Sequence, residues 1–149
     1  MPHFSEKLRC LGLKATPKRL AMLEILARER TYMSPDDVWC RMKGRFSKIG
    51  LPTVYRNLDE LARGGMISTI FHPNRQLYYF LCSNREHHHH FVCISCRKVD
   101  DIHFCALSEL ERETTGSIRG KVLSHMFQVS GVCAACLASK QGPPQEVAV

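Results

Sequence analysis

The sequence predicts a mixed α/β fold of the α+β kind, with a helical first part closed by a hairpin and a smaller α/β second part. Three observations predict it. Residues 1–82 hold four stretches with apolar side chains at helical spacing, followed by two β-rich runs. The later residues hold two C-x-x-C pairs and a four-histidine run leading into an apolar strand pattern. Charge is lopsided: 14 basic and 7 acidic residues fall in 1–82 against 7 and 7 in 83–149, so the net charge of +7 resides in the first part. With 149 residues, 44% of them hydrophobic and 23% charged, the chain has the composition of a protein with a packed core. No run approaches the ~20 apolar residues of a bilayer crossing, and the opening segment lacks the apolar stretch of an export signal, so a cytoplasmic setting is expected.

Phe4, Leu8 and Leu11 fall at i, i+4 and i+7, with Ser5 as a cap and Gly12 as a stop, which predicts a short first helix. Thr16-Pro17 opens a second, with Leu20, Leu23, Leu26 and Ala27 as its apolar stripe. Ser34-Pro35-Asp36-Asp37 repeats that start signal, places two acids where the helix dipole favours them, and turns Val38 and Met42 inward. After Gly50-Leu51, Pro52 begins a fourth helix in which Val54, Leu58 and Leu61 face the core while Tyr55, Arg56 and Asn57 face solvent; Gly64-Gly65 ends it. Residues 66–71 and 76–81 are β-rich and flank His72-Pro73-Asn74-Arg75, a hairpin. Helices closed by a hairpin describe a winged helix. The exposed start of the fourth helix suits a DNA major groove, and Arg75 at the wing tip suits backbone phosphates. A concentrated positive field on this part fits a polyanion partner.

Cys93, Cys96, Cys133 and Cys136 form the two C-x-x-C pairs, each placing two thiolates on one tight turn as two corners of a tetrahedron. Reduced cysteines in a cytosolic protein favour a closed structural zinc site over disulfides, and a thiol switch is the competing use. In an extended run, His87 and His89 face one way and His88 and His90 the other, so one segment serves two sites. Cys82 at the end of the wing and Asp101 on a paired strand are expected to join His88 and His90. For the other face the candidate is His125, within the alternating Leu123, His125, Phe127 and Val129, where a core histidine is the plainer use; Glu109 or Glu111, on a helix expected over 104–115, would complete that set. Four thiolates leave no open position, and no H-E-x-x-H motif occurs, so an enzyme is not expected.

The segments Gly12-Leu13-Lys14-Ala15-Thr16-Pro17-Lys18-Arg19 and Thr53-Val54-Tyr55-Arg56-Asn57-Leu58, the four-His run with Phe91-Val92-Cys93-Ile94-Ser95-Cys96, and the late Cys133 and Cys136 together resemble the ferric uptake regulator family, over residues 5–137. The resemblance implies a homodimeric, metal-responsive transcriptional repressor. It implies a winged-helix DNA-binding domain over 1–82, a hinge over 83–86 and a metal-binding dimerisation domain over 87–138; the tail from 139 to 149 is expected to be disordered. It implies DNA contact for Lys14, Tyr55 and Arg56, to which the motif neighbours Thr16, Arg19 and Thr53 are added. Structural zinc falls to Cys93, Cys96, Cys133 and Cys136, and metal sensing to His88, His90 and Asp101, which Cys82 joins on the residue reading above. His87, His89 and His125 match the family's further metal site, to which Glu109 is added from the residue reading above.

Two departures bear on the metal. Where iron-sensing members usually place a His before the third helix, this chain has Tyr32-Met33, with His72 the conceivable substitute. Where they place a carboxylate near the end of the wing, it has Cys82. A thiolate is softer than a carboxylate and moves preference from Fe(II) toward Zn(II), which favours a zinc-uptake type of regulator over iron or peroxide sensing. A metal buffer or thiol-switch protein without DNA activity would use the same clusters but would not require the basic first part. Cys10, Cys40 and Cys105 are expected to pack as small apolar side chains.

Overall fold

Short polar side chains followed by proline set the helix starts. The computed structural model describes residues 4–84 and 86–139. After α1 (Phe4–Cys10), α2 (Pro17–Glu29) is capped by Thr16, whose Oγ1 accepts from the Arg19 amide at 3.3 Å. At α3 (Pro35–Lys43) Ser34 and Asp37 form a reciprocal capping box: the Asp37 amide donates to Ser34 Oγ at 3.1 Å, and the Ser34 amide to Asp37 Oδ2 at 2.9 Å. The fourth helix, α4 (Leu51–Arg63), has no side-chain cap and starts on Pro52. Gly65 then turns the chain with φ +72°. Gly64 is tight for another reason, since a Cβ there would lie 2.6 Å from Leu13 Cδ1.

Leu8, Leu23, Leu26, Val38, Met42, Val54, Leu58 and Leu61 are buried together, as their spacing predicts. Two expected core positions are not. Leu11 is 41% exposed because α1 stops at Cys10 and the chain reverses at Gly12, φ +71°. Ala27 is exposed, and Ala21 and Met22 take its place, because the buried face of α2 lies about one residue earlier along the helix. Asn57, expected on the solvent face of α4, is buried; its Nδ2 donates to the Thr53 carbonyl at 2.7 Å and its Oδ1 accepts from Arg19 Nε at 3.0 Å.

The wing is the antiparallel pair β1 (Ser68–Phe71) and β2 (Leu77–Phe80), with Ser68 opposite Phe80 and Phe71 opposite Leu77. Met66 and Ile67, expected in the first strand, seal the helical core instead. Arg75 stands exposed in the turn with φ 63°. In the second sheet β3 (His89–Cys93) is central, antiparallel to β4 (Val99–Ile102) and parallel to β5 (Gln128–Gly131). The helix expected over 104–115 is α5 (Leu107–Glu113), continued by a π-helical turn over Thr114–Ile118; α6 (Ala134–Ala138) follows β5. No residue of α5 is buried. Only part of the alternating 123–129 segment is strand, and Leu123 is 87% exposed. Of the tail expected to be disordered over 139–149, Ser139 is ordered as the C-cap of α6, and 140–149 lie outside the described residues, as does Arg85 of the expected hinge.

The two parts meet along a seam in which Tyr32, Ile70, Tyr78 and Val92 are buried against half-buried Phe80 and Val99. Phe71 of the wing also exchanges two hydrogen bonds with the Gln128 side chain, at 3.1 and 2.7 Å.

Leu58→Ala is expected to destabilise the protein by about 2–5 kcal/mol, and Leu11→Ala by no more than about 0.5 kcal/mol, in denaturant unfolding followed by circular dichroism.

Candidate metal centres and nucleic-acid interface

One strand and the two residues before it feed three clusters of metal-ligating side chains. Cys93 ends β3, Cys96 lies on the turn that follows, and Cys133 and Cys136 sit at the start of and inside α6. Their sulfurs lie within 4.8 Å of one another, with Cys93 to Cys136 at 3.9 Å and Cys96 to Cys133 at 3.6 Å. A tetrahedral zinc with Zn–S bonds of about 2.3 Å has sulfurs about 3.8 Å apart, so the arrangement fits the ion without rearrangement. Burial opposes ionisation of Cys93, but the amides of Cys96, Cys133 and Ser95 converge on it and bring its pKa down to about 6. Burial and the neighbouring sulfurs push Cys96 up to about 12. Thiolates crowded this closely ionise together only around a cation.

The second cluster joins the two parts. Cys82, two residues past β2, has its Sγ 3.1 Å from His88 Nε2, which is 3.0 Å from His90 Nε2 and 3.8 Å from Asp101 Oδ1. Strand register brings Asp101 there, opposite His90 across β3 and β4. The His88 Nδ1 proton is donated to the Glu86 carbonyl at 2.6 Å, leaving the Nε2 lone pair facing the other ligands, and Asn84 Nδ2 donates to Asp101 Oδ2 at 2.7 Å. Burial raises the Cys82 pKa, with Asp101 adding to the effect while the Asn84 backbone and Lys7 oppose it; burial and His88 lower that of His90. Without an ion the surroundings therefore favour a protonated Cys82 and a neutral His90. Two imidazoles, one sulfur and one carboxylate suit a borderline divalent metal.

On the other face, His87, His89 and His125 have ring centroids 4.9 to 5.1 Å apart. The fourth member is Cys105, with Sγ 3.4 Å from His125 Nε2; these four ligand atoms lie within 4.8 Å of one another. Buried His89 Nε2 has no hydrogen-bond partner, which an ion would supply. Glu109 is not brought to this cluster: it is exposed and accepts from Ser108 Oγ at 2.9 Å, and Glu111 is exposed too. The reason is the late start of α5, which leaves Cys105 on the extended segment beside the sheet and carries the glutamates onto the helix. Cys105, expected to be plain packing, is the residue that sequence reasoning missed. Nothing in its spacing separated it from the acids nearby.

Tyr55, 46% exposed, and Arg56 project from the first turns of α4, with Lys14 exposed on the loop before α2 and Arg75 on the wing. Thr16 and Thr53 are half-buried. Arg19 faces inward: its side chain is 11% exposed, pairs with Glu60 and Asn57, and donates from Nη1 to the Lys14 carbonyl at 3.1 Å. It ties α2 to α4 and holds the Lys14 loop. His72 packs beside the Tyr32 and Tyr78 rings and accepts from the Asn74 amide at 3.1 Å, outside the Cys82 cluster.

A winged helix joined to a second sheet rich in metal-ligating side chains defines a metal-responsive transcription regulator. The chain belongs to the ferric uptake regulator family, whose profile it matches over residues 10–130. It is 30% identical over 132 residues to the peroxide operon regulator of Bacillus subtilis (strain 168), covering 88% of this chain and 89% of that protein. Among solved structures it superposes on the ferric uptake regulator of Vibrio cholerae with a TM-score of 0.62, at 26% identity over 88% of this chain and 100% of the other. It also superposes on a zinc uptake regulator complexed with zinc and DNA, with a TM-score of 0.73 at 21% identity over 91% of each chain. The fold is that of the family, with a helical N-terminal part closed by a hairpin and a smaller mixed α/β C-terminal part. No helix among the described residues is long and apolar enough to cross a membrane.

Cobalt(II) titration followed by absorption separates the candidate ligands of the outer face. Cys105→Ala is expected to weaken binding at the His87, His89 and His125 cluster by about 10-fold or more and to remove its thiolate charge-transfer band, whereas Glu109→Gln changes neither.

Proposed function

We propose that this protein is a homodimeric transcriptional repressor in which a divalent metal, zinc in preference to iron, acts as co-repressor. The observation that carries the reading is the cluster of Cys82, His88, His90 and Asp101, because its first ligand belongs to the DNA-binding part and the others to the second part. With 83–86 as hinge, an ion gripping all four fixes the angle between 1–82 and 87–138. In a symmetric dimer that angle sets the separation of the two α4 helices, which must match half-sites spaced by the helical repeat of DNA. Converting a 1:99 population into 99:1 requires the metal to prefer the DNA-competent form by about 5.5 kcal/mol, within reach of a site assembled only in that form.

Cys93, Cys96, Cys133 and Cys136 hold a structural zinc in this reading, supported by the fit of their sulfur spacings. The cluster of His87, His89, Cys105 and His125 is an additional metal site. Lys14, Tyr55, Arg56 and Arg75 contact DNA, with Thr16 and Thr53 beside them; Arg19 acts from behind by holding the Lys14 loop. Exposed Phe104, Leu110, Ile118 and Leu123 in the second part support pairing with another copy. Reduced cysteines and a DNA partner support a cytoplasmic setting.

The sulfur of Cys82 supports zinc, as does the placement of His72 away from the cluster. A second reading, iron-dependent peroxide response, is favoured by the similarity to the Bacillus subtilis peroxide operon regulator. Operator binding titrated against free Zn(II) and free Fe(II) decides between them. Zn(II) is expected to drive binding at the lower free concentration, and the complex to weaken steeply with added salt. Cys82→Ser, with its four-cysteine zinc intact, is expected to lose about tenfold or more of its metal-dependent gain in affinity; an undiminished gain removes Cys82 from the sensing role.

A further inference from the structure

A second tie between the two parts uses none of the proposed ligand side chains. It is built on the turn over 93–98. There Arg97, in the left-handed region at φ 64°, donates its amide to the Cys93 carbonyl at 3.0 Å. The same carbonyl accepts from the hydroxyl of Tyr32 at 3.1 Å, and the Arg97 carbonyl accepts from the Tyr32 amide at 3.1 Å. Thr31 and Lys98 form an antiparallel bridge alongside. The Arg97 guanidinium reaches Asp37 Oδ2 at 2.6 Å and lies 5.6 Å from the centre of the Tyr78 ring.

The partners on the DNA-binding side are informative. Tyr32 lies two residues before the capping Ser34 of α3, Asp37 completes that cap, and Tyr78 belongs to the wing. α3 packs on α4, and Arg97 lines a cavity of about 530 Å³ together with Tyr55 of α4 and Gln76 and Leu77 of the wing. A single turn of the second part thus touches both supports of the exposed α4 face. Its contacts are unequal. The Arg97–Asp37 pair is substantially exposed and contributes little alone, whereas Tyr32 is 1% exposed, so its hydroxyl and its ring are held in a water-free seam.

We propose that the turn over 93–98 is a docking element that sets the position of the DNA-reading surface, which makes Tyr32 and Arg97 positioning residues for operator binding. The turn carries Cys93 and Cys96, so the four-cysteine site holds this docking element in shape as well as joining α6 to the sheet. The proposal rests on the DNA-binding reading above but not on the choice of metal or on occupancy of the Cys82 cluster.

The test compares wild type with Tyr32→Phe, Arg97→Ala, Arg97→Lys and the Tyr32→Phe/Arg97→Ala double variant, all loaded with Zn(II). The probe is a duplex that the wild type enriches from a random-sequence pool, with a scrambled duplex as control. The double variant is expected to lose about tenfold or more in affinity for the enriched duplex but not for the scrambled one, because its basic surface is untouched; Arg97→Lys keeps most of the affinity. Zinc content, dimer state and helix content are expected to match wild type. In the free protein, amide exchange is expected to accelerate together at 31–33 and 93–98. Enriched-duplex affinity within about twofold of wild type in a folded, zinc-loaded double variant overturns the proposal. So does equal loss on both duplexes. If the double variant does not fold, Tyr32→Phe, which keeps the ring, is judged by the same two measurements. If wild type enriches no duplex, the DNA-binding reading fails, and amide exchange alone decides whether the turn docks: coupled acceleration upholds it and unchanged exchange overturns it.

Discussion

The alternation of side chains along an extended backbone is the constraint on which the metal chemistry of this chain depends. β3 and the two residues before it send His88 and His90 to one face and His87 and His89 to the other, and the strand then ends on Cys93. Each cluster needs ligands from elsewhere, and the sheet supplies their scaffold: β4 brings Asp101 into register, the segment after it brings Cys105, and the chain around β5 brings His125 and the final cysteine pair. A one-residue slip of β3 would exchange the two histidine pairs and dismantle two sites at once. The central position of β3, with hydrogen-bonded neighbours on both sides, opposes that slip.

The clusters differ in how much they ask of a cation. Among four crowded sulfurs, the Cys93 thiol is brought down while Cys96 is pushed up, so a metal-free four-cysteine site is electrostatically frustrated. The Cys82 cluster is not frustrated in this way, since burial favours a protonated Cys82 beside a neutral His90, with a hydrogen-bonded carboxylate at one side. That contrast supports the proposed division between a structural zinc site and a sensory one filled or vacated as the metal supply changes.

Much of this was legible in the residues. Ser34 with Asp37, and Thr16 with Pro17, fixed two helix starts through local hydrogen bonds, and local chemistry is what a sequence displays directly. The four-cysteine and Cys82 clusters were legible because fixed spacings and strand alternation translate into geometry. Asn57 and Arg19 were misjudged because a polar residue on a helix reads as exposed until a partner on another helix is known. The same limit hid Cys105: whether it or Glu109 reaches His125 depends on where α5 begins, and that start, at Ala106, has no capping side chain to announce it. The seam around Tyr32 was invisible for a further reason, since it pairs segments about 60 residues apart through backbone carbonyls that every residue possesses.

On the proposed DNA-binding reading, the inward Arg19 has a consequence for altering which base sequence is read. Its charge is matched by Glu60 and its Nε donates to Asn57, two residues of the same helix that presents Tyr55 and Arg56 to solvent, and its Nη1 supports the loop bearing Lys14. A foreign α4 grafted into this scaffold must therefore bring an equivalent amide and carboxylate on its hidden side. Without them a guanidinium would be stranded between two helices, and the graft would fail for reasons unrelated to the bases it was chosen to recognise.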